Sequence, residues 1–140
     1  MSRENVEIVR SAFDAWLRGD IESMLRLVDP DITVEQPAEM PDAMTRRGRA
    51  GVMDAIAAWP EQWDDYQIEI VHIAEADDHV AVKTHQRGRG KGSGVEVEGE
   101  IWFVFGFRNG KVTEWRMFGD EREALEAVGL SEQDAHADSS

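Results

Sequence analysis

From Gly99 to Gly119 the chain reads GEIWFVFGFRNGKVTEWRMFG, two aromatic-rich apolar segments separated by Arg108-Asn109-Gly110-Lys111. Asn-Gly between such runs is a strong hairpin signal, because both residues tolerate positive φ. In an extended chain Ile101, Phe103, Phe105 and Phe107 share one face, and Trp102, Val104 and Gly106 share the other. A strand that is apolar on both faces needs cover on both, so the pattern predicts a hairpin central to its sheet. A three-residue loop with a bulge would set Phe103 beside Trp115, whereas a two-residue loop would pair Val104 with Trp115. We adopt the three-residue register.

Elsewhere the periodicity is helical at first. Ser2 and Glu4 open a helix whose stripe is Val6, Val9, Phe13 and Trp16, and Gly19 stops it. Asp20 caps a shorter helix carrying Met24, Leu25 and Val28, which Asp29-Pro30 ends. Ile32-Thr33-Val34 reads as a short strand closed by Pro37. Residues 36–47 hold two prolines and no period, and are expected to be loop. Val52, Ile56 and Trp59 define a third helix that stops at Pro60. Strands are expected at 66–75, 79–89, 95–107 and 111–119, the first two joined by Asp77-Asp78. Asp120-x-x-Glu123 resembles a capping box for a last helix with Ala124, Leu125 and Val128, stopped by Gly129. Residues 131–140 read as a frayed tail after a single domain over 1–130. Segregated helices and a strand meander imply an α+β fold, a curved antiparallel sheet whose N-terminal helices close a cone-shaped pocket.

Composition narrows the partners. With 29 acidic and 15 basic residues the net charge is −14, which repels phosphate backbones and anionic membrane surfaces. Nucleic acid and membrane are therefore not expected as partners. There is no cysteine, so disulfides and thiolate chemistry are excluded. No apolar run approaches the roughly 20 residues of a membrane span, and no signal-peptide core follows Met1, so the expected location is cytoplasmic.

Five short motifs, in this order and spacing, carry a family likeness: Gly19-Asp20-Ile21-Glu22, Asp31 to Pro37 (DITVEQP), Arg47-Gly48-Arg49, Asn109-Gly110-Lys111-Val112, and Glu123 to Leu130 (EALEAVGL). With them the chain resembles the nuclear transport factor 2-like superfamily, in its ketosteroid isomerase and SnoaL-like polyketide cyclase branch. The resemblance implies a conical (cystatin-like) α+β barrel, a homodimer and an apolar pocket. That pocket hosts isomerases, dehydratases, cyclases, epoxide hydrolases and non-enzymes, so the fold does not settle the function. Ketosteroid isomerases place their base in a Val-Glu-Asp-Pro segment, here Val34-Glu35-Gln36-Pro37, so the position falls on Gln36. Their oxyanion-hole tyrosine and protonated aspartate, a system treated in general accounts of carboxyl pKa tuning, fall on Ala12 and Phe103. The arginine and two aspartates of limonene-type epoxide hydrolases fall near Thr84, Gln86 and Met117. Neither acid–base set is present.

These positions give an expected ligand-binding set of Trp16, Gln36, Thr84, Gln86, Phe103, Trp115 and Met117, with Trp59 and Trp63 closing the pocket or packing in the core. His85 and Asp120 are the candidate proton-transfer groups. His85 alternates away from the pocket, and Asp120 already has a capping role. Glu35, Glu39 and Asp42 lie in or beside the rim loop, where burial would raise a carboxyl pKa. His72, His79 and His85 lack metal-ligand spacing, His136 lies in the tail, and neither metal nor cofactor is expected. The basic glycine-rich stretch Arg87 to Gly94 fits no phosphate-loop pattern and reads as a hairpin end. The expected function is binding of a hydrophobic small molecule. A lyase, isomerase or cyclase with a non-standard base, and a non-catalytic dimerisation module, are the alternatives.

Overall fold

The computed structural model describes residues 2–35, 45–58, 63–76 and 78–129. Its elements are α1 (Ser2–Leu17), α2 (Ile21–Arg26), β1 (Val28–Glu35), β2 (Thr45–Arg47), α3 (Gly48–Ala58), β3 (Trp63–Ala76), β4 (His79–Gly90), β5 (Glu96–Arg108), β6 (Lys111–Phe118) and α4 (Glu121–Ala127). The strands form one curved sheet in the order β2-β1-β6-β5-β4-β3. The α+β class and the four-strand meander are as expected from the sequence. One pair departs from the antiparallel expectation, since β1 runs parallel to β6. The chain reaches β6 only after α3 and three further strands, so this direction is set by tertiary packing and not by a local turn.

The hairpin has its own correction. Arg108 pairs with Lys111 across a two-residue loop in which Asn109 and Gly110 have φ of 53° and 75°. The register then shifts between Phe107 and Gly106, so Phe105 opposes Trp115 and Phe103 opposes Met117. The extra residue sits at Thr113, in β6, and not in the loop. A bulge in the strand restores the face parity that a plain two-residue loop would have inverted.

Two further expectations are overturned. The second helix ends at Arg26, and Val28, Asp29 and Pro30 belong to β1. Pro30 lies where the β1–β6 register is irregular, between Val28 and Thr33, and there a missing N–H is tolerated. The expected loop over 36–47 contains β2, whose Thr45 pairs with Glu35 and Arg47 with Thr33. A three-residue polar edge strand carries no alternation to read. Gln36, Pro37, Glu39, Asp42, Trp59, Pro60, Asp77, Leu130 and the 131–140 tail with His136 lie outside the described residues.

Curvature comes from bulges. Besides those in β1 and β6, β3 shifts register against β4 between Asp64 and Gln67 and again between Ile70 and His72. Asp65 takes φ 54° in the first of these. Bulged strands bend and twist more strongly, which lets a six-stranded sheet cup instead of lying flat. Helix α1 lays Val9 and Phe13 into the cup against Ile68, Val80, Val82 and Phe103. The α2 and α3 side fills the rest with Met24, Val52 and Ala55 against Ile32 and Val34. On the convex side Ala124 and Leu125 of α4 cover Trp102, Val104, Ala81 and Ala74. β5 is thus covered on both faces.

The junction of α1 and α2 follows the sequence closely. Gly19, at φ 80°, turns the chain out of α1. Asp20 then accepts from the Ser23 amide at 3.2 Å and the Ser23 hydroxyl at 2.7 Å. These bonds from Ser23 hold its carboxyl pKa below the ordinary value. The carboxylate form is the stabilised one, so this cap contributes fully above the ordinary aspartate range and is lost as pH falls through the lowered value.

Gly110→Ala places a Cβ on a left-handed residue and is expected to destabilise the fold by about 1–2 kcal/mol. Chemical denaturation checks this; an unchanged midpoint would mean that the turn has rearranged.

Candidate functional site

Between the cupped sheet and the helices lies a cavity of about 230 Å³. Each element delivers its residues through the period of its own secondary structure. Ala12, Phe13 and Trp16 come from the α1 stripe, and Val52, Ala55 and Ile56 come from α3. The concave face of the sheet adds Tyr66 from β3, Gln86 from β4, Phe103 and Phe105 from β5, and Trp115 and Met117 from β6. The aromatic rings form one connected wall. Phe103 meets Trp115 edge-on at 5.4 Å, Phe105 stacks on Trp115 at 6.2 Å, and Phe13 stacks on Phe103 at 6.0 Å. Offset and edge-on pairs of this kind are favourable beyond the area they bury.

The polar part of the wall is a directed relay. Tyr66 Oη donates to Gln86 Oε1 at 2.6 Å, Gln86 Nε2 donates to Thr84 Oγ1 at 3.0 Å, and Thr84 Oγ1 donates to the Ile101 carbonyl at 2.7 Å. Thr84 is fully buried and Gln86 is 6% exposed, so these bonds are what makes their burial tolerable. The indole Nε1 of Trp115 is buried and has no acceptor among the described residues.

Among the described residues that line the cavity there is no Asp, Glu, His, Lys or Arg; Tyr66 is the one ionisable group. Of the six positions that the resemblance aligns with catalytic groups of other family branches, Ala12, Phe103, Gln86 and Met117 line this space and are uncharged; Thr84 lies behind Gln86, and Gln36 falls outside the described residues.

Of the residues expected from sequence, Trp16, Gln86, Phe103, Trp115 and Met117 come together on the cavity wall. Thr84 does not reach the wall; it lies behind Gln86 as the relay's middle member. Trp63 is also not part of the wall. Its ring lies over Gly88, where a Cβ would come within 3.0 Å of the Trp63 Cβ. Gln36 and Trp59 fall outside the described residues. His85 points to the other side of the sheet, 3.7 Å from a Glu69 oxygen and 3.5 Å from a Glu98 oxygen, and borders a second, open groove with Arg87. Asp120 caps α4 by accepting from the Arg122 amide at 3.0 Å, one residue earlier than the amide of Glu123. His79 is bonded to Glu114 at 3.0 Å, and His72 packs edge-on against Trp102, so the three strand histidines are dispersed. No group of three metal-ligating side chains occurs among the described residues.

Tyr66 was missed from sequence, although it is the only tyrosine in the chain. Its alternation with Ile68 and Ile70 was the available signal, and the β3 irregularity between Asp64 and Gln67, in which Tyr66 lies, obscures it.

Phe103→Ala opens the aromatic wall and is expected to cost about 3–5 kcal/mol of stability. His85→Ala is expected to change stability by no more than about 0.5 kcal/mol, as for a surface site. Urea denaturation of the two variants side by side checks both; equal losses would contradict this placement.

No curated protein matches the chain in sequence. Solved structures do match in fold. A nuclear transport factor 2-like protein from Burkholderia xenovorans is 29% identical, with a TM-score of 0.71 over 91% of this chain and 97% of its own. A SnoaL-like polyketide cyclase, so assigned, from Jannaschia is 20% identical, with a TM-score of 0.74 over 91% and 92%. TerC, co-crystallised with polyporic acid, is 21% identical, with a TM-score of 0.73 over 89% and 97%. The SnoaL-like domain family matches residues 9–115. The chain therefore belongs to the SnoaL-like domain family, on the nuclear transport factor 2-like fold.

Proposed function

We propose that the protein binds a hydrophobic small molecule in the cavity between α1, α3 and the concave face of the sheet. The observation that carries this reading is a wall of stacked and edge-on aromatic rings and aliphatic side chains around about 230 Å³ of space, in which the described polar groups are neutral. Concave apolar sites with a few convergent polar groups are the usual form of small-molecule pockets. An engineered cavity of about 150 Å³ takes benzene, so this space suits a ligand of about two fused rings. The proposed contact residues are Trp16, Gln86, Phe103, Trp115 and Met117, with Tyr66, Ala12 and Phe13 added by the structure. Co-crystallisation of the fold neighbour TerC with polyporic acid accords with a ligand in this type of fold.

Binding without acid–base catalysis is favoured over lyase, isomerase or cyclase activity. The described wall offers no carboxylate, imidazole or amine for proton transfer. His85 and Asp120 have structural partners elsewhere. A homodimer, the further expectation of the resemblance, corresponds to a solution mass of twice 15.8 kDa. No described helix is long and apolar enough to cross a membrane.

Naphthalene at about ten times its Kd is expected to stabilise the protein by about 1.4 kcal/mol, an upward Tm shift of about 3–5 °C for a domain of this size. Ala12→Leu fills the cavity from α1. It is expected to keep the ligand-free Tm within about 3 °C of the parent and to abolish the naphthalene shift. Differential scanning calorimetry reads both, and an undiminished shift in Ala12→Leu would overturn this location for the ligand.

A further inference from the structure

The cavity wall is one side chain thick at one seam. Trp16 and Tyr66 each line the cavity and also the open groove outside it, and among the described residues they are the two that line both. Both stand where regular structure gives out. Trp16 is in the last turn of α1, which ends at Leu17 before Gly19 turns the chain away, so the helix stops covering the sheet there. Tyr66 lies in the edge strand β3, where Asp65 and Tyr66 together oppose Gly88 of β4 and the ladder is interrupted. Segments of this kind open at low free-energy cost, because few hydrogen bonds and little apolar burial are lost. The two residues are held differently. Tyr66 is tied through Oη to Gln86 at 2.6 Å, whereas the Trp16 ring rests edge-on against Phe13 at 6.0 Å.

The groove suits an uncharged guest. Its charged groups are engaged with other side chains: Arg87 Nη2 donates to Gln67 Oε1 at 2.8 Å, and His85 lies between Glu69 and Glu98. Beside the seam it offers apolar surface, chiefly Leu17, which is 60% exposed and lines the groove but not the cavity. A single exposed leucine needs no explanation by itself. One set against the thin part of an apolar wall carries that wall's character to the outside.

We propose that the groove between the end of α1 and the edge strand β3 is the entry site for the neutral ring compound that the cavity holds, and that the Trp16 ring swings past the tethered Tyr66 to admit it. This rests on the cavity being the ligand site and deepens that reading. Trp16 then has two parts to play, a contact of the bound molecule and the moving element of its path, and the two separate in kinetics. A contact acts on the rate of release, whereas a barrier on the path acts on entry and release alike.

Exchange of 2-fluoronaphthalene with the full chain, followed by fluorine NMR line shapes, gives Kd, kon and koff separately. Gln67 is exposed and lines the groove alone, so Gln67→Trp obstructs the path without altering the cavity. There kon and koff are both expected to fall at least about tenfold while Kd stays within about twofold, since an obstructed path changes rates and not end states. Trp16→Ala removes a contact and weakens the complex, yet kon is expected to rise at least about threefold. Unchanged kon in Gln67→Trp overturns the entry site, and unchanged kon in Trp16→Ala overturns the part given to that ring. A fall in kon confined to Gly119→Trp, at an exposed residue elsewhere on the cavity wall, also overturns the inference. All three results leave the cavity reading intact. If the parent protein does not bind 2-fluoronaphthalene, or Ala12→Leu binds it as tightly as the parent does, the cavity reading fails and the inference fails with it. Gln67→Trp decides the entry site even if Trp16→Ala does not fold.

Discussion

The structure depends on β5 being apolar on both faces. Ile101, Phe103, Phe105 and Phe107 require cover on one side, and Trp102 and Val104 require it on the other. Short α4 meets the second demand with Ala124 and Leu125. The first demand is larger than α1 alone meets, because bulges in β1, β3 and β6 cup the sheet away from the helices. The cavity is what remains between a curved aromatic floor and the helices across it. Its apolar character follows from the same residues that hold the sheet in place, so site and core are one feature.

That economy limits the chemistry. Ala12, Phe103, Gln86 and Met117, which the resemblance sets against acids and bases of other branches, each pack or hydrogen-bond as part of the wall. A buried carboxylate among such neighbours would need partners to offset its desolvation. The relay from Tyr66 through Gln86 and Thr84 to the Ile101 carbonyl shows the neutral alternative, in which buried polar groups satisfy one another. Among the described residues the Asp, Glu, His, Lys and Arg side chains are instead placed outside this wall. His85 sits between Glu69 and Glu98 on the convex face, and His79 reaches Glu114 over Gly106, whose missing side chain leaves room for the pair.

Much of this was legible from residues alone, because local signals dominate where they are strong. The Asn109-Gly110 turn, the α1 stripe, the Gly19 stop and the Asp20 and Asp120 caps all act over a few residues, and all are found. The errors fall where tertiary contacts decide. Thr45–Arg47 is a strand only because β1 lies beside it, Val28 to Pro30 is extended only because β6 receives it, and the parallel sense of that pair has no local signature. The shared face of Phe103 and Trp115 was reached through the wrong device, an expected loop bulge in place of the real one at Thr113. Thr84 was assigned to the right face but to the wall, whereas it lies behind it. Burial depth cannot be read from alternation, which gives direction and not distance.

Native mass spectrometry of the freshly purified protein, followed by solvent extraction of whatever it releases, tests the central claim most directly. The account predicts a compound of about two fused rings, released at near-stoichiometric yield from the parent protein and absent from Ala12→Leu. A released compound that is strongly charged, or one retained equally by Ala12→Leu, would contradict it.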